Sequence, residues 1–151
     1  MKALAPDVIA RYAKIAGDEY GVPPSLVAAV VMHESSGRPG LRGKAGEYGL
    51  MQLMPATADT LGFSGDYALL LSQPLLNMRL GTKYLAQQFR RYGNWPEALS
   101  AYNAGHAIKS NLETYARPIL AMANMGGPAA AGGLLVLSLG LAFLAFSRTR
   151  S

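Results

Sequence analysis

Glu34 is the residue whose surroundings best suit it to do chemistry. It closes an otherwise apolar run, V-P-P-S-L-V-A-A-V-V-M-H-E at 22–34. Positions 26–32 carry no polar side chain, and a helix apolar all round belongs in a core. A carboxyl at the C-terminal end of such a helix is disfavoured as an anion twice, by desolvation and by the negative pole of the helix dipole. Both effects raise its pKa. A carboxylic acid still protonated near neutral pH can act as a general acid on a poor leaving group such as a glycosidic oxygen. The competing reading is a structural Glu that caps Ser35, Ser36 or a nearby backbone N–H, or that faces solvent at a frayed end.

Three further polar side chains sit where a cleft could use them. Gln52 interrupts the apolar run L-M-Q-L at 50–53, and a lone amide among apolar neighbours is costly to bury without partners, so it meets either backbone or ligand. Tyr102 and Asn103 fall in the last turn of a short helical stretch, where both can face a cleft, although an Asn there also serves as a helix cap. The loop G-R-P-G-L-R-G-K-A-G at 37–46 brings Arg38, Arg42 and Lys44 close behind Glu34, with solvated loop charges as the equal alternative. The chain has no cysteine, which excludes disulfide and thiolate chemistry. His33 and His106, far apart in sequence, offer neither a zinc site nor a Ser-His-Asp apparatus. His33 adjoins Glu34, but neighbours on a helix point about 100° apart, so a surface or core histidine is the simpler reading.

Helices must position these groups. Pro23 and Pro24 suit a first turn, and Gly37 with Pro39 a stop, which sets the Glu34 helix at about 24–36. Before it, Val8, Ile9, Tyr12, Ile15 and Ala16 repeat at helical spacing after Pro6 and Asp7, ending near Gly21. Pro55 opens a short helix closed by Gly62, and a long helix is expected over 74–92 with Met78, Gly81, Leu85, Phe89 and Tyr92 as its core stripe. Asn94, Pro96 and Glu97 form a helix start with a capping-box pattern, and Gly105 stops that helix. A last helix is expected over 114–124. No alternating β-branched run and no internal repeat occurs, so the domain reads as all-α.

Charge is unevenly distributed along the 151 residues, whose net charge is +5. No charged residue occurs between Arg117 and Arg148, and up to Arg117 the 12 basic residues exceed the 9 acids by only three. Such an excess helps hold an anionic polymer but lacks the clustered Lys and Arg of a nucleic-acid surface, so no nucleic-acid partner is expected. Only Arg90 and Arg91 adjoin, on what reads as a solvated helix face.

Three motifs recur here in a familiar order and spacing: Glu34-Ser35 at the end of an apolar helix, Gly49-Leu50-Met51-Gln52, and Ala101-Tyr102-Asn103-Ala104-Gly105. Together they resemble the lytic transglycosylase family, whose SLT domain has a lysozyme-like fold related to goose-type lysozyme. The resemblance covers 7–124. A fourth element, Glu113-Thr114-Tyr115, resembles the family's closing E-T-x-x-Y segment, except that Tyr115 follows Thr114 directly. Carried onto these residues, the resemblance implies Glu34 as the catalytic acid with Ser35 a polar partner beside it. Gln52 would bond substrate or orient the acid, Met51 would line the groove, and Tyr102 would lie against the sugar. Asn103 would hold the site's architecture, and Tyr115 would bond the Glu34 carboxyl. The implied reaction cleaves the β-1,4 bond between N-acetylmuramic acid and N-acetylglucosamine in peptidoglycan, with no metal and no cofactor.

The residue inventory bears on the mechanism. A two-carboxylate glycosidase needs a second acid roughly 5–9 Å from the first. Glu47, Asp59 and Asp66 are the candidates, and Glu47, nearest to a motif, reads more simply as a surface residue at the neck of a loop. One acid suffices if the substrate's N-acetyl group shields the developing cation and the C6 hydroxyl of muramic acid attacks C1, leaving a 1,6-anhydro sugar. The alternatives are a muramidase of the same fold that uses water, and a membrane-anchored structural protein that only binds glycan.

The domain is set at 1–125, and 126–151 reads as a C-terminal transmembrane anchor with a short basic tail. Within it, A-A-A-G-G-L-L-V-L-S-L-G-L-A-F-L-A-F at 129–146 is 18 residues without charge, at the lower range for a bilayer span. Arg148 and Arg150 put the C-terminus on the cytoplasmic side by the positive-inside rule, and the domain on the other. The alternative is an apolar helix docked into a partner protein. The N-terminus lacks the apolar run of a secretory signal peptide. Anchor and leaderless start together point to a phage virion membrane, or to the inner membrane of an envelope-spanning secretion or conjugation assembly. Virion or envelope-assembly proteins are then expected partners.

Overall fold

Prolines start the helices of the computed structural model, which describes residues 1–125. Helix α1 (Pro6–Tyr20), α2 (Pro24–Ser35), α3 (Pro55–Thr60) and α5 (Pro74–Tyr92) begin on proline, whose missing N–H has no helical partner in a first turn anyway. The short α4 (Leu69–Ser72) precedes α5. Helix α6 (Trp95–Ala104) has proline at its second position and the expected cap: Asn94 Oδ1 accepts the Glu97 N–H at 2.9 Å. The return contact differs from a standard capping box, because the Glu97 carboxylate takes the Asn94 side-chain amide, also at 2.9 Å. Gly93 and Gly105 end α5 and α6 at φ 74° and 79°, left-handed values that glycine adopts without penalty.

The expected helix over 114–124 is corrected. Helical structure starts earlier, at α7 (Lys109–Asn111), passes through a π-helical turn (Leu112–Ala116) and resumes as α8 (Arg117–Met122). Pro118 has no N–H to give to the carbonyl four residues back, and the Arg117 N–H instead reaches Leu112, five residues back. The extra residue in that turn leaves Tyr115 and Ala116 buried. The Glu34 helix ends one residue sooner than expected, with Ser36 left-handed at φ 51°.

Two apolar clusters form the interior. The larger joins Ile9, Ala13 and Ala16 of α1 with Leu26, Val27, Val30 and Val31 of α2, Met78 and Leu85 of α5, Leu99 and Tyr102 of α6, and Ile119 of α8. The smaller gathers Tyr48, Leu53, Ala58, Leu61, Leu70 and Leu80, and Tyr84 packs against both. Between α2 and α3 the chain is not an open loop. Isolated antiparallel bridges pair Arg42 with Tyr48 and Tyr48 with Leu53, folding 41–53 into a tight double turn. Buried Asn77 ties this turn down: its amide N–H groups reach the Tyr48 and Leu70 carbonyls at 2.7 and 3.1 Å, and its oxygen accepts the Met51 N–H at 2.9 Å. Apart from these bridges, the regular elements of the described residues are all helices, which agrees with the all-α reading. The apolar stretch 129–146 and its basic tail lie outside the described residues, among which no helix is long and apolar enough to cross a membrane.

Candidate active site

A cleft of about 250 Å³ opens where the C-terminal end of α2, the double turn, α3, α5 and α6 converge. Glu34, Glu47, Gln52, Tyr84, Tyr102 and Asn103 line it, together with Thr57 of α3 and Met54, the residue before that helix. Glu34 is half-buried at the end of the apolar helix. Its carboxyl pKa is raised, first by desolvation; the Tyr115 hydroxyl, which donates to Glu34 Oε1, works against that rise, and the charge of Glu47 adds to it. The acid is thus biased toward its protonated form while one oxygen is held in place.

Tyr115 comes from the π-helical turn, and burial together with the nearby Glu34 pushes its phenol well above the ordinary range. It stays a neutral donor. The His33 ring packs edge-on against Tyr115 with centroids 4.9 Å apart, and burial lowers the imidazole's pKa. Tyr102 is buried, donates its hydroxyl to the Met51 carbonyl at 2.7 Å, and is pushed up by burial first and by Glu34 second. Tyr84 lies against it at 5.2 Å between ring centroids.

The remaining residues singled out from the sequence divide. Gln52 is in the cleft with a left-handed backbone, φ 47°, and its amide nitrogen donates to the Gly49 and Leu41 carbonyls at 2.8 and 3.2 Å. Asn103 lines the cleft, and its side-chain oxygen accepts from Asn111 at 2.8 Å, linking α6 to α7. Two expectations are corrected. Ser35 is 1% exposed and gives its hydroxyl to the Val31 carbonyl at 3.0 Å, so it faces the core and not the acid's cleft. The Met51 side chain is wholly buried, with its sulfur 3.8 Å from the Thr82 hydroxyl, so the groove is not lined by Met51 and only the carbonyl serves the site, by fixing Tyr102.

Tyr84, which sits one residue ahead of Leu85 and outside the apolar stripe of α5, also lines the cleft. Glu47, expected at the surface, lines the cleft as well. A signal was present in G-K-A-G-E-Y-G at 43–49, whose glycines allow a tight turn that can carry a carboxylate back over Gln52.

A model of the transglycosylase SLT domain matches residues 11–118, which include every cleft residue named above. The chain belongs to that family. A transglycosylase of Enterobacteria phage PRD1 is 43% identical over 90 residues, spanning 60% of this chain and 32% of that protein. The soluble lytic murein transglycosylase of Escherichia coli K12 is 36% identical over 107 residues, 66% of this chain and 16% of that protein. The SLT domain here therefore spans about a third or less of the length of these relatives. Among solved structures, the lytic transglycosylase Slt of Pseudomonas aeruginosa, determined as an inactive mutant, superposes with a TM-score of 0.66 at 25% identity over 78% of this chain and 25% of that one. The 70 kDa soluble lytic transglycosylase of Escherichia coli gives 0.60 at 27% identity over 76% of this chain and 18% of its own.

Proposed function

We propose that this protein is a peptidoglycan lytic transglycosylase that cleaves the β-1,4 bond between N-acetylmuramic acid and N-acetylglucosamine with Glu34 as its acid. The observation that carries the reading is the half-buried Glu34 carboxyl, raised in pKa by desolvation and held by the Tyr115 hydroxyl inside a cleft. Family membership and the named lytic murein transglycosylases support the substrate. Glu34 gives its proton to the leaving oxygen as the bond to C1 breaks. As carboxylate it then takes the proton of the C6 hydroxyl while O6 bonds to C1, so no water is consumed and a 1,6-anhydro sugar results. Gln52, Tyr102 and Asn103 belong to the walls that receive the glycan, and Tyr115 orients the acid.

The likeness to a phage transglycosylase supports a role in opening the cell wall locally during phage genome delivery. The uncharged stretch 129–146 supports anchoring in a virion or inner membrane with the domain turned to the wall. One observation favours a second reading: Glu47 shares the cleft with Glu34, as a muramidase that activates water requires.

Mass spectrometry of peptidoglycan digested by the full chain separates the two. Fragments one water lighter than hydrolysed muropeptides are expected, and fragments of hydrated mass would overturn the anhydro mechanism. Glu34→Gln should lower the rate of fragment release by about 10²-fold or more. Undiminished release would remove Glu34 from the chemistry and leave the domain a different acid. Co-flotation of the full chain with lipid vesicles tests the anchor, and a chain ending at 125 should remain behind.

A further inference from the structure

The wall of the cleft formed by the double turn is built to hold oxygen acceptors. Glu47 Oε2 accepts the Ala45 N–H at 3.0 Å, closing a loop whose ends meet through the Gly43 N–H and the Glu47 carbonyl at 2.9 Å. Gly43 leaves the space the carboxylate uses: a methyl group there would overlap Glu47 and stand 2.7 Å from Gln52 Oε1. Both side-chain nitrogen contacts of Gln52 run to backbone carbonyls, which fixes its oxygen as the group turned toward Gly43 and Glu47. Arg42 is not engaged with Glu47 but lies over the Tyr48 ring at 4.1 Å. Among the described residues, ion pairs form at Asp18, Glu19 and Glu113, and none involves Glu47. The carboxylate thus closes its turn through one backbone N–H, pairs with no cation among the described residues, and lines the same cleft as Glu34.

Resting on the transglycosylase reading, we propose that Glu47 is an electrostatic residue of the reaction, a carboxylate on the wall of the cleft it shares with Glu34 that stabilises the cation developing at C1. Two carboxyl groups in one cleft divide the labour when their surroundings differ. Glu34 has an apolar floor and one phenolic donor, whereas Glu47 has a backbone N–H at the cleft mouth. A preorganised charge near a centre that turns positive lowers the barrier because it needs no reorganisation during the step. The assignment is independent of the nucleophile, since both water and the C6 hydroxyl attack the same cationic carbon. The titratable groups facing Glu34 are Tyr115 from the π-helical turn, Tyr102 from α6 and Glu47 from the double turn, with Tyr84 behind Tyr102 and His33 behind Tyr115. Of these, Glu47 is the acid whose charge opposes ionisation of Glu34.

The test compares Glu47→Gln and Glu47→Asp in the full chain. Glutamine can still accept the Ala45 N–H, so it removes the charge while sparing the turn; aspartate keeps the charge. Glu47→Gln should lower kcat at least about tenfold and leave KM within about twofold. The high-pH limb of its rate profile should move to lower pH, because Glu34 loses its proton more readily. Glu47→Asp should recover most of that limb. Unchanged kcat and an unmoved limb in Glu47→Gln, with wild-type activity intact, would overturn this inference alone. Should the wild-type chain release no fragments at all, the transglycosylase reading fails. Carboxyl NMR titration of Glu34 then decides the coupling: a move to lower pH in Glu47→Gln upholds it, and an unmoved titration overturns it.

Discussion

The larger apolar cluster, which carries Glu34, is closed by the faces of helices, whereas the smaller one, behind the double turn, is closed around the side chain of one asparagine. In the first, α1, α2, α5, α6 and α8 interlock through many small contacts, and the acid inherits its properties from that burial. In the second, the backbone of the double turn is irregular, and Asn77 bonds two of its residues, Tyr48 and Met51, and ties them to the Leu70 carbonyl of α4. The contrast assigns different work to the two walls of the cleft. The helical wall tunes a carboxyl by withholding water; the turn wall places Glu47 and Gln52 by hydrogen bonds. Damage to the first should be graded, and damage to the second concentrated at one residue.

Asn77→Ala is the most severe way to break that contrast. It strands the Met51 N–H and the Leu70 carbonyl in a dry interior and leaves the Tyr48 carbonyl with the Leu53 N–H alone, and a loss of about 3 kcal/mol is expected in chemical denaturation. A loss below about 1 kcal/mol would mean that the turn is held by its own apolar residues after all. Gly81→Ala probes where the two regions meet, since a methyl group on α5 would lie 2.7 Å from Met51 Cβ. Ala is otherwise the better helix residue, so a net destabilisation of about 2 kcal/mol, read as a lower thermal midpoint, would isolate the overpacking.

Tyr115→Phe sharpens the electrostatic half of the comparison. The lost hydroxyl currently works against the raised pKa of Glu34, so its removal should move the high-pH limb of the rate profile upward, opposite to Glu47→Gln. A fall in kcat/KM of about tenfold should accompany it, from a less firmly oriented acid. A downward limb would show that Tyr115 holds the proton in place instead. Asn94→Ala has the smallest expected effect. It removes the cap of α6 and should cost about 1 kcal/mol of stability by denaturant midpoint, with the pH profile unmoved because the cap lies far along α6 from Tyr102.

Legibility follows the range of the interactions involved. The ends of α1, α2, α5 and α6 were readable because proline, glycine and Asn94 act within a few residues of themselves. The π-helical turn was not, since the E-T-Y segment looks like an ordinary helix start until Pro118 denies its N–H. Ser35 adjoins Glu34 but lies four residues beyond Val31, so helical spacing alone sets it on the buried face. Asn77 offered no local sign at all, because its three partners lie 7 to 29 residues away.

By itself, then, the sequence determined the all-α class, the apolar helix ending in Glu34, and the motifs that mark an SLT domain. These are matters of periodicity, capping and composition, written into neighbouring residues. Only the tertiary structure decided that the Tyr115 hydroxyl meets Glu34 across 81 positions, that Met51 turns inward and lends only its carbonyl, and that Glu47 turns into the cleft. Each of these depends on where a side chain points after distant segments have packed, and no local pattern encodes that direction.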